Sequence, residues 1–371
     1  MQGYTLSAGL SYNKRNPDDR TYTNFGTKFN YGFAETKLRA IADFSKKFNN
    51  HNNAFLAISA GSEATQFNEK KPISNIVNTI STLFFKDNYM KLFDKNFIKI
   101  NYSQEVVNGF SVYANFDYSE RKPLFNNTDF TIIKNDDLYT SNNPLLPLDN
   151  LAPTITKHNL AKGKITGKIN FGQEYWTRPD GKFNIPNDKY PVLYFTYEKG
   201  FTGSQNNYNF DYFGAKVTQD FALGNKGHLG INLSTGKFFN AANISFVDYK
   251  HFNGNQTHIG QTENYLNVFN LLPYYSNSTN DSYFEIHTEY NDKGYIMNKI
   301  PLLNLLKSTM VIGFHTLAVP NLKPYSEYTI GLDNLGFGKF KLFRVDYVHS
   351  YQNGIQAEGV VFGLKILNVF E

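Results

Sequence analysis

Glu285, His287 and Glu289 alternate along one stretch of the chain. Successive side chains on a strand point to opposite faces, so all three share one face if that stretch is extended. An imidazole between two carboxylates has the composition of an acid–base or metal site. Arg344 and Asp346 repeat the spacing with opposite charges, and Glu327 has the parity to join them from a neighbouring strand. Arg39 and Asp43 stand in the same relation nearer the start. The competing reading is a polar wall, in which paired charges tie neighbouring strands together. That reading is preferred, and no catalytic or metal role is assigned. The chain has no Gly-x-Ser-x-Gly elbow, no phosphate-binding glycine loop and no His-Glu-x-x-His pair. Its eight histidines are dispersed, and no cofactor motif is present.

The elements that must carry these residues show a two-residue rhythm from end to end. Tyr4, Leu6, Ala8, Leu10 and Tyr12 alternate with small or polar residues, as do Val360, Phe362, Leu364 and Ile366. Phe284, Ile286 and Tyr290 oppose Glu285, His287 and Glu289, while Phe343, Val345 and Tyr347 oppose Arg344 and Asp346. About fifteen such segments are legible, each near the roughly 9–11 residues of a tilted membrane-spanning strand. They start near residues 3, 24, 36, 53, 96, 109, 161, 190, 207, 227, 281, 307, 324, 339 and 356. A soluble sandwich would alternate too, with its apolar face hidden. The number, length and aromatic content of the segments favour an all-β transmembrane antiparallel barrel, with the apolar face on lipid and the polar face on the lumen.

Composition agrees with that class. Aromatic residues make up 16% of the chain, with 34 Phe, 26 Tyr and one Trp. Such residues concentrate at the two membrane interfaces. A mean hydropathy of -0.45 does not oppose a barrel, because every second residue dilutes the signal. No apolar run is long enough for a spanning helix. The absence of cysteine suits passage through an oxidising periplasm. The net charge of +5 is scattered, which argues against nucleic acid as a partner. Outer-membrane lipid is the expected partner, with other outer-membrane or periplasmic proteins beside it. The expected location is the bacterial outer membrane.

An even strand number is the rule for such barrels, so fifteen implies sixteen in the complete barrel, with one strand upstream of Met1. No leader precedes the first strand, so residues 1–371 are read as a barrel domain at the C-terminal end of a longer protein. With a periplasmic C-terminus, the long connections 63–95, 121–160 and 240–281 fall outside the cell. Within 72–84, Ile73, Ile76, Val77, Ile80 and Phe84 sit at helical spacing after Pro72, predicting a short amphipathic helix on the rim or in the mouth. The apolar run Ile300 to Leu306 is expected along the inner membrane interface. The segment from Asp248 to Thr257 is polar and rich in turn residues, and Gly254 between two Asn favours a positive φ. From composition it is either an exposed loop or one folded into the lumen.

The stretches Asn75 to Phe93, Tyr118 to Thr128 (YSERKPLFNNT), Tyr190 to Gly200 (YPVLYFTYEKG), Asp248 to Thr257 and Gly294 to Leu306 (GYIMNKIPLLNLL) carry a resemblance. They resemble the barrel part of a gram-negative outer-membrane family in which a carboxypeptidase-regulatory-like domain precedes a C-terminal domain of unknown function. The regulatory-like domain has no counterpart here. The architecture is also similar to the BamA and two-partner-secretion superfamily, whose barrels have sixteen strands and a loop that enters the lumen before the last five. The connection 240–281 holds that position. The superfamily's loop has an Arg-Gly-Phe type motif where this one reads HFNGNQ. The hydrogen-bonding side chains of this loop, its glycine and its position as in the superfamily together place His251, Phe252, Asn253, Gly254, Asn255 and Gln256 in a lumen loop against Glu285, His287 and Glu289. Strand parity puts Glu327, Arg344 and Asp346 on the same lumen wall. The expected role is non-enzymatic, in transport or in outer-membrane protein assembly and secretion. The alternatives are a lipid hydrolase with a site on the barrel wall, and a structural barrel anchoring a periplasmic domain.

Overall fold

The structure, a computed structural model, describes residues 3–133, 138–201, 208–260, 265–338 and 340–364. The strands are β1 (Thr5–Asn16), β2 (Thr21–Gly32), β3 (Lys37–Lys47), β4 (Phe55–Gln66), β5 (Leu92–Val107), β6 (Phe110–Pro123), β7 (His158–Asn170), β8 (Tyr175–Arg178), β9 (Gly181–Asn184), β10 (Val192–Phe201), β11 (Phe210–Ala222), β12 (His228–Phe239), β13 (Ile259–Gly260), β14 (Ser282–Asn291), β15 (Thr309–Ala318), β16 (Tyr325–Phe337), β17 (Phe340–Gln352) and β18 (Ile355–Leu364). The described residues thus hold eighteen strands, not fifteen. The surplus is short. β8 and β9 form a separate two-stranded hairpin inside the 172–190 connection, and β13 has two residues. Neither is long enough to show a rhythm.

The other strands follow one another as an antiparallel meander. A single sixteen-stranded sheet has the order β1 to β7, β10, β11, β12, β14 to β18 and then β13. β13 joins β18 in parallel, with Ile259 opposite Phe362 and Gly260 opposite Gly363.

The chain divides into two compact units. The first comprises Met1–Phe67, Thr82–Gly214 and Phe238–Tyr249, and the second Asn68–Ser81, Ala215–Lys237 and Lys250–Glu371. In the first unit Leu160, Phe210, Phe238, Ala241 and Ile244 form a buried cluster. In the same unit, charged groups are buried in pairs. Arg121 donates to Asp248 at 2.5 Å, and Lys162 lies 3.4 Å from both Asp248 and Glu198. Arg39 binds Asp94 at 2.7 Å and Glu35 at 2.6 Å. Asp43, expected beside Arg39, is exposed and accepts instead from Ser59 at 2.5 Å.

Both units have inverted burial. Strand side chains such as Leu38, Ile98, Phe116 and Ile165 are exposed in the first unit, and Phe284, Ile330, Phe343 and Phe362 in the second. The side chains between them include buried Arg39 and Arg121 in the first unit, and Glu285, His315, Glu327, Arg344 and Asp346 in the second. Water would reverse this choice, since exposing each large apolar side chain costs about 1.5–3 kcal/mol. Charged residues are seldom fully buried unless paired.

The expected helix in 72–84 is α1 (Asn75–Ile80), one turn and a half long. Ser74 caps it by accepting from the Val77 N–H at 3.2 Å, and Ile73 and Val77 are buried. A π-helical turn, Ser81–Phe85, follows, so the regular period stops before Phe84. Ile80 and Phe84 are exposed.

Candidate functional site

The registers of the second unit set one polar row across several strands. Asn232 on β12 lies opposite His287 on β14, His287 opposite His315 on β15, His315 opposite Glu327 on β16, and Glu327 opposite Ser350 on β17. Antiparallel partners on one face bring their side chains into contact. The Nδ1 atoms of His287 and His315 stand 2.9 Å apart, and His287 Nε2 is 2.9 Å from Glu285 Oε1. Ser234 donates to Glu285 Oε2 at 2.8 Å. The carboxylate therefore lies between serine and imidazole, whereas a nucleophilic triad places the imidazole in the middle. Among the described residues, no three His, Asp or Glu side chains are grouped to hold a metal ion.

Glu289 does not complete the Glu285–His287 cluster. It accepts from Arg344 at 2.9 Å, and Arg344 also donates to Asp346 at 2.7 Å. The small residue opposite makes room for this pair: a Cβ at Gly331 would sit 2.1 Å from Asp346 Oδ1. Glu327, expected with Arg344 and Asp346, is engaged elsewhere.

The described parts of the 250–279 segment, 250–260 and 265–279, lie against this polar row. Its neck is closed by Lys250 and Thr279, whose backbones bond to each other at 2.8 and 3.1 Å. His251 Nδ1 contacts Ser278 Oγ at 2.7 Å, and the Phe252 ring meets Tyr283 of β14 edge-on. Asn68, just before α1, donates to the Phe252 carbonyl at 3.2 Å. Asn253 accepts from Phe269 N–H at 2.8 Å, Asn255 N–H donates to Leu272 O at 3.0 Å, and Gln256 Oε1 accepts from Tyr274 N–H at 3.1 Å. The segment from His251 to Gln256 thus forms one layer bonded to a second layer, 267–274. His251, Phe252, Gly254 and Asn255 are buried; Asn253 and Gln256 are half-buried.

One sequence expectation is corrected here. Gly254 does not take a positive φ. Glycine is required because its Cβ would lie 2.2 Å from the Leu272 carbonyl oxygen, so close approach of two backbones replaces the left-handed turn. Of residues 251–257, Phe252 meets the wall strand through Tyr283. The layer 269–271 makes the contacts to His287 and Glu327. Phe269 is fully buried, with its ring 4.6 Å from His287 and 5.8 Å from Tyr325. Glu327 Oε2 accepts the Asn270 N–H at 2.6 Å and Oε1 accepts the Leu271 N–H at 2.7 Å. The Tyr325 hydroxyl donates to the same carboxylate. Phe269 and His315 were missed in the sequence. His315 has the same parity as Leu317 within its strand, but its partner is fixed by register, which alternation does not reveal.

A family model described as "Family of unknown function (DUF5686) C-terminal domain" matches residues 1–332. The chain belongs to this family. No curated protein matches it. Solved structures similar to this family domain include CdiB from Acinetobacter baumannii, at 11% identity and a TM-score of 0.41, covering 96% of this chain and 56% of that one. The domain thus spans little more than half of CdiB. BamA from Haemophilus ducreyi lacking POTRA domains 1–3 is similar at 9% identity and a TM-score of 0.48, covering 97% and 69%. A mutant porin of Rhodopseudomonas blastica is similar at 10% identity and a TM-score of 0.35, covering 96% and 88%.

Proposed function

We propose that this family domain is a membrane-embedded β-barrel of the bacterial outer membrane, non-enzymatic, acting in transport or in the assembly or secretion of outer-membrane proteins. The observation that carries the reading is the inverted burial of the strands, apolar outward and charged inward, which suits lipid on one side and a polar lumen on the other. The docked 250–279 segment supports a regulated lumen: a loop away from lipid must satisfy its backbone groups, and Glu327 does so for two of them. The wall residues Glu285, His287, Glu289, Glu327, Arg344 and Asp346 then set what the lumen accepts, and the loop residues His251 to Gln256 obstruct it.

Full-length protein should fractionate with outer membranes and migrate differently on gels before and after boiling. In planar bilayers, deletion of 251–257 should raise conductance while insertion persists. A β-rich monomer that stays in solution without detergent would sink the barrel. Inserted protein whose conductance ignores the deletion would leave an anchor in place of a transporter.

A further inference from the structure

One end of the second unit combines apolar side chains with unopposed positive charge. The register brings together the β11–β12 turn, the 292–308 connection and the β16–β17 turn: His228 lies opposite Asn291, Asn291 opposite Val311, and Thr309 opposite Asp333. These connections and the strand ends beside them present Leu223, Leu302, Leu305, Phe337 and Phe340 to the outside. Leu302, Leu305 and Phe337 are 79%, 76% and 93% exposed, above Ile330 and Phe343 of the neighbouring strands, each 52%. The same connections carry Lys226, Lys293, Lys299 and Lys307, and Lys341 follows at the start of β17. Their only acid, Asp292, is fully buried. It accepts the N–H groups of Gly294, Ile296, Met297 and Met310 at 2.8–3.0 Å, and these bonds hold its carboxyl below the usual range although burial opposes them. Among the described residues, none of the five ammonium groups pairs with a carboxylate.

This apolar edge is held in place. Met297 is buried under the connection, and Lys341 Nζ donates to the Leu306 carbonyl at 2.6 Å and the Gly336 carbonyl at 3.0 Å. Lys299 stands 3.5 Å over the Tyr295 ring. A fixed row of leucine and phenylalanine beside lysines on long stems suits an interface where acyl chains meet headgroups, since the stems can lie in the apolar layer with the charge at its boundary. The long 250–279 segment leaves the opposite end of these strands. The longest connection of these strands marks the outer side, so this end faces the periplasm, where the leaflet is phospholipid.

We infer that this end is a docking collar for anionic phospholipid. Leu302, Leu305, Phe337 and Phe340 enter the acyl layer, and Lys226, Lys293, Lys299 and Lys307 gather phosphodiester headgroups around the strands. The collar rests on the barrel reading and adds a lipid preference to it. Basic clusters at a membrane surface draw anionic lipid by charge, and salt weakens that attraction.

The experiment uses full-length protein in phosphatidylcholine vesicles doped with an equal small fraction of brominated phosphatidylglycerol or brominated phosphatidylcholine. Trp176→Phe removes the one indole of residues 1–371. On that background Leu302→Trp reports the collar and Phe343→Trp reports the strand wall. Brominated phosphatidylglycerol should quench Leu302→Trp about threefold more than brominated phosphatidylcholine. The preference should vanish at high salt and when Lys226→Gln, Lys293→Gln, Lys299→Gln and Lys307→Gln are combined, and should survive Lys323→Gln at the other end. Quenching of Phe343→Trp by both lipids confirms insertion. If it is quenched while Leu302→Trp is not, or while Leu302→Trp responds equally to both headgroups, the collar is overturned and the barrel stands. If neither indole is quenched, the barrel reading fails and the collar with it.

Discussion

Glu327→Gln is the sharpest challenge to the docked segment. In the wild type two carboxylate oxygens receive three donors: Asn270 N–H, Leu271 N–H and the Tyr325 hydroxyl. The amide keeps one accepting oxygen and turns an NH2 group toward a backbone N–H that still needs an acceptor. One charge-assisted bond of about 1.5–3 kcal/mol is lost, and one buried donor left unpaired costs about 1–3 kcal/mol. Taking about 3 kcal/mol as the net change shifts the docked-to-open ratio by roughly a hundredfold. The chain has no cysteine, so Leu272→Cys adds a sole thiol at a buried position of the docked layer. Its maleimide labelling rate in liposomes follows the open fraction when opening is fast. The rate should rise about a hundredfold on adding Glu327→Gln, and conductance should rise with it. A rate unchanged by Glu327→Gln, in protein whose heat-modified mobility is normal, would refute the carboxylate clamp.

Other outcomes follow from the same geometry. Gly254→Ala should loosen the segment by about 1–3 kcal/mol through overlap with the Leu272 carbonyl, seen as faster protease cleavage between 251 and 257; unchanged cleavage would discard the close-approach argument. Val345→Lys should cost about 2–4 kcal/mol and impair assembly, and a lipid-soluble quencher should reach a label at 345 and not at 346; equal quenching refutes the face assignment. Lys91 is buried in the connection before β5, donating to Thr140 Oγ1 at 2.8 Å and Ser141 O at 2.7 Å, and burial pushes its ammonium down to about 7. The folded form there releases its proton before the unfolded form does. Packing of the 138–157 loop should therefore strengthen as pH rises from about 7 to 10.5, and carry its full penalty, on the order of a few kcal/mol, below about 7. Lys91→Met should abolish that dependence, measured as protease nicking of the loop across this range.

The rhythm of apolar residues was enough to place the long strands. The start expected near 281 is Ser282, that near 324 is Tyr325, and that near 339 is Phe340. Alternation is a local property, and each side chain reports its own face. The β8–β9 hairpin escaped because Tyr175–Arg178 and Gly181–Asn184 are too short for a period, although Asp180-Gly181 is a turn signal. Gly254 was recognised as special for the wrong reason, since sequence identifies a glycine without saying which atom crowds it. The polar face was legible in Glu285, His287, Arg344 and Asp346, but its pairings were not. Glu289 goes to Arg344 and Glu327 to a loop backbone, and both choices depend on register and on a distant segment. Phe269 lies in a stretch without alternation, where nothing distinguishes a buried aromatic from an exposed one.

The Lys250–Thr279 neck bears on how such a domain can diversify. Because the segment enters and leaves at one hydrogen-bonded point, its interior can lengthen, shorten or change composition without shifting the register of β12 against β14. Closing a longer excursion at a fixed neck adds only about 0.6 kcal/mol for each doubling of length. The strands would then serve as a constant frame, and the excursion as an exchangeable cassette that keeps its bonds to Glu327 and its pairing with β18.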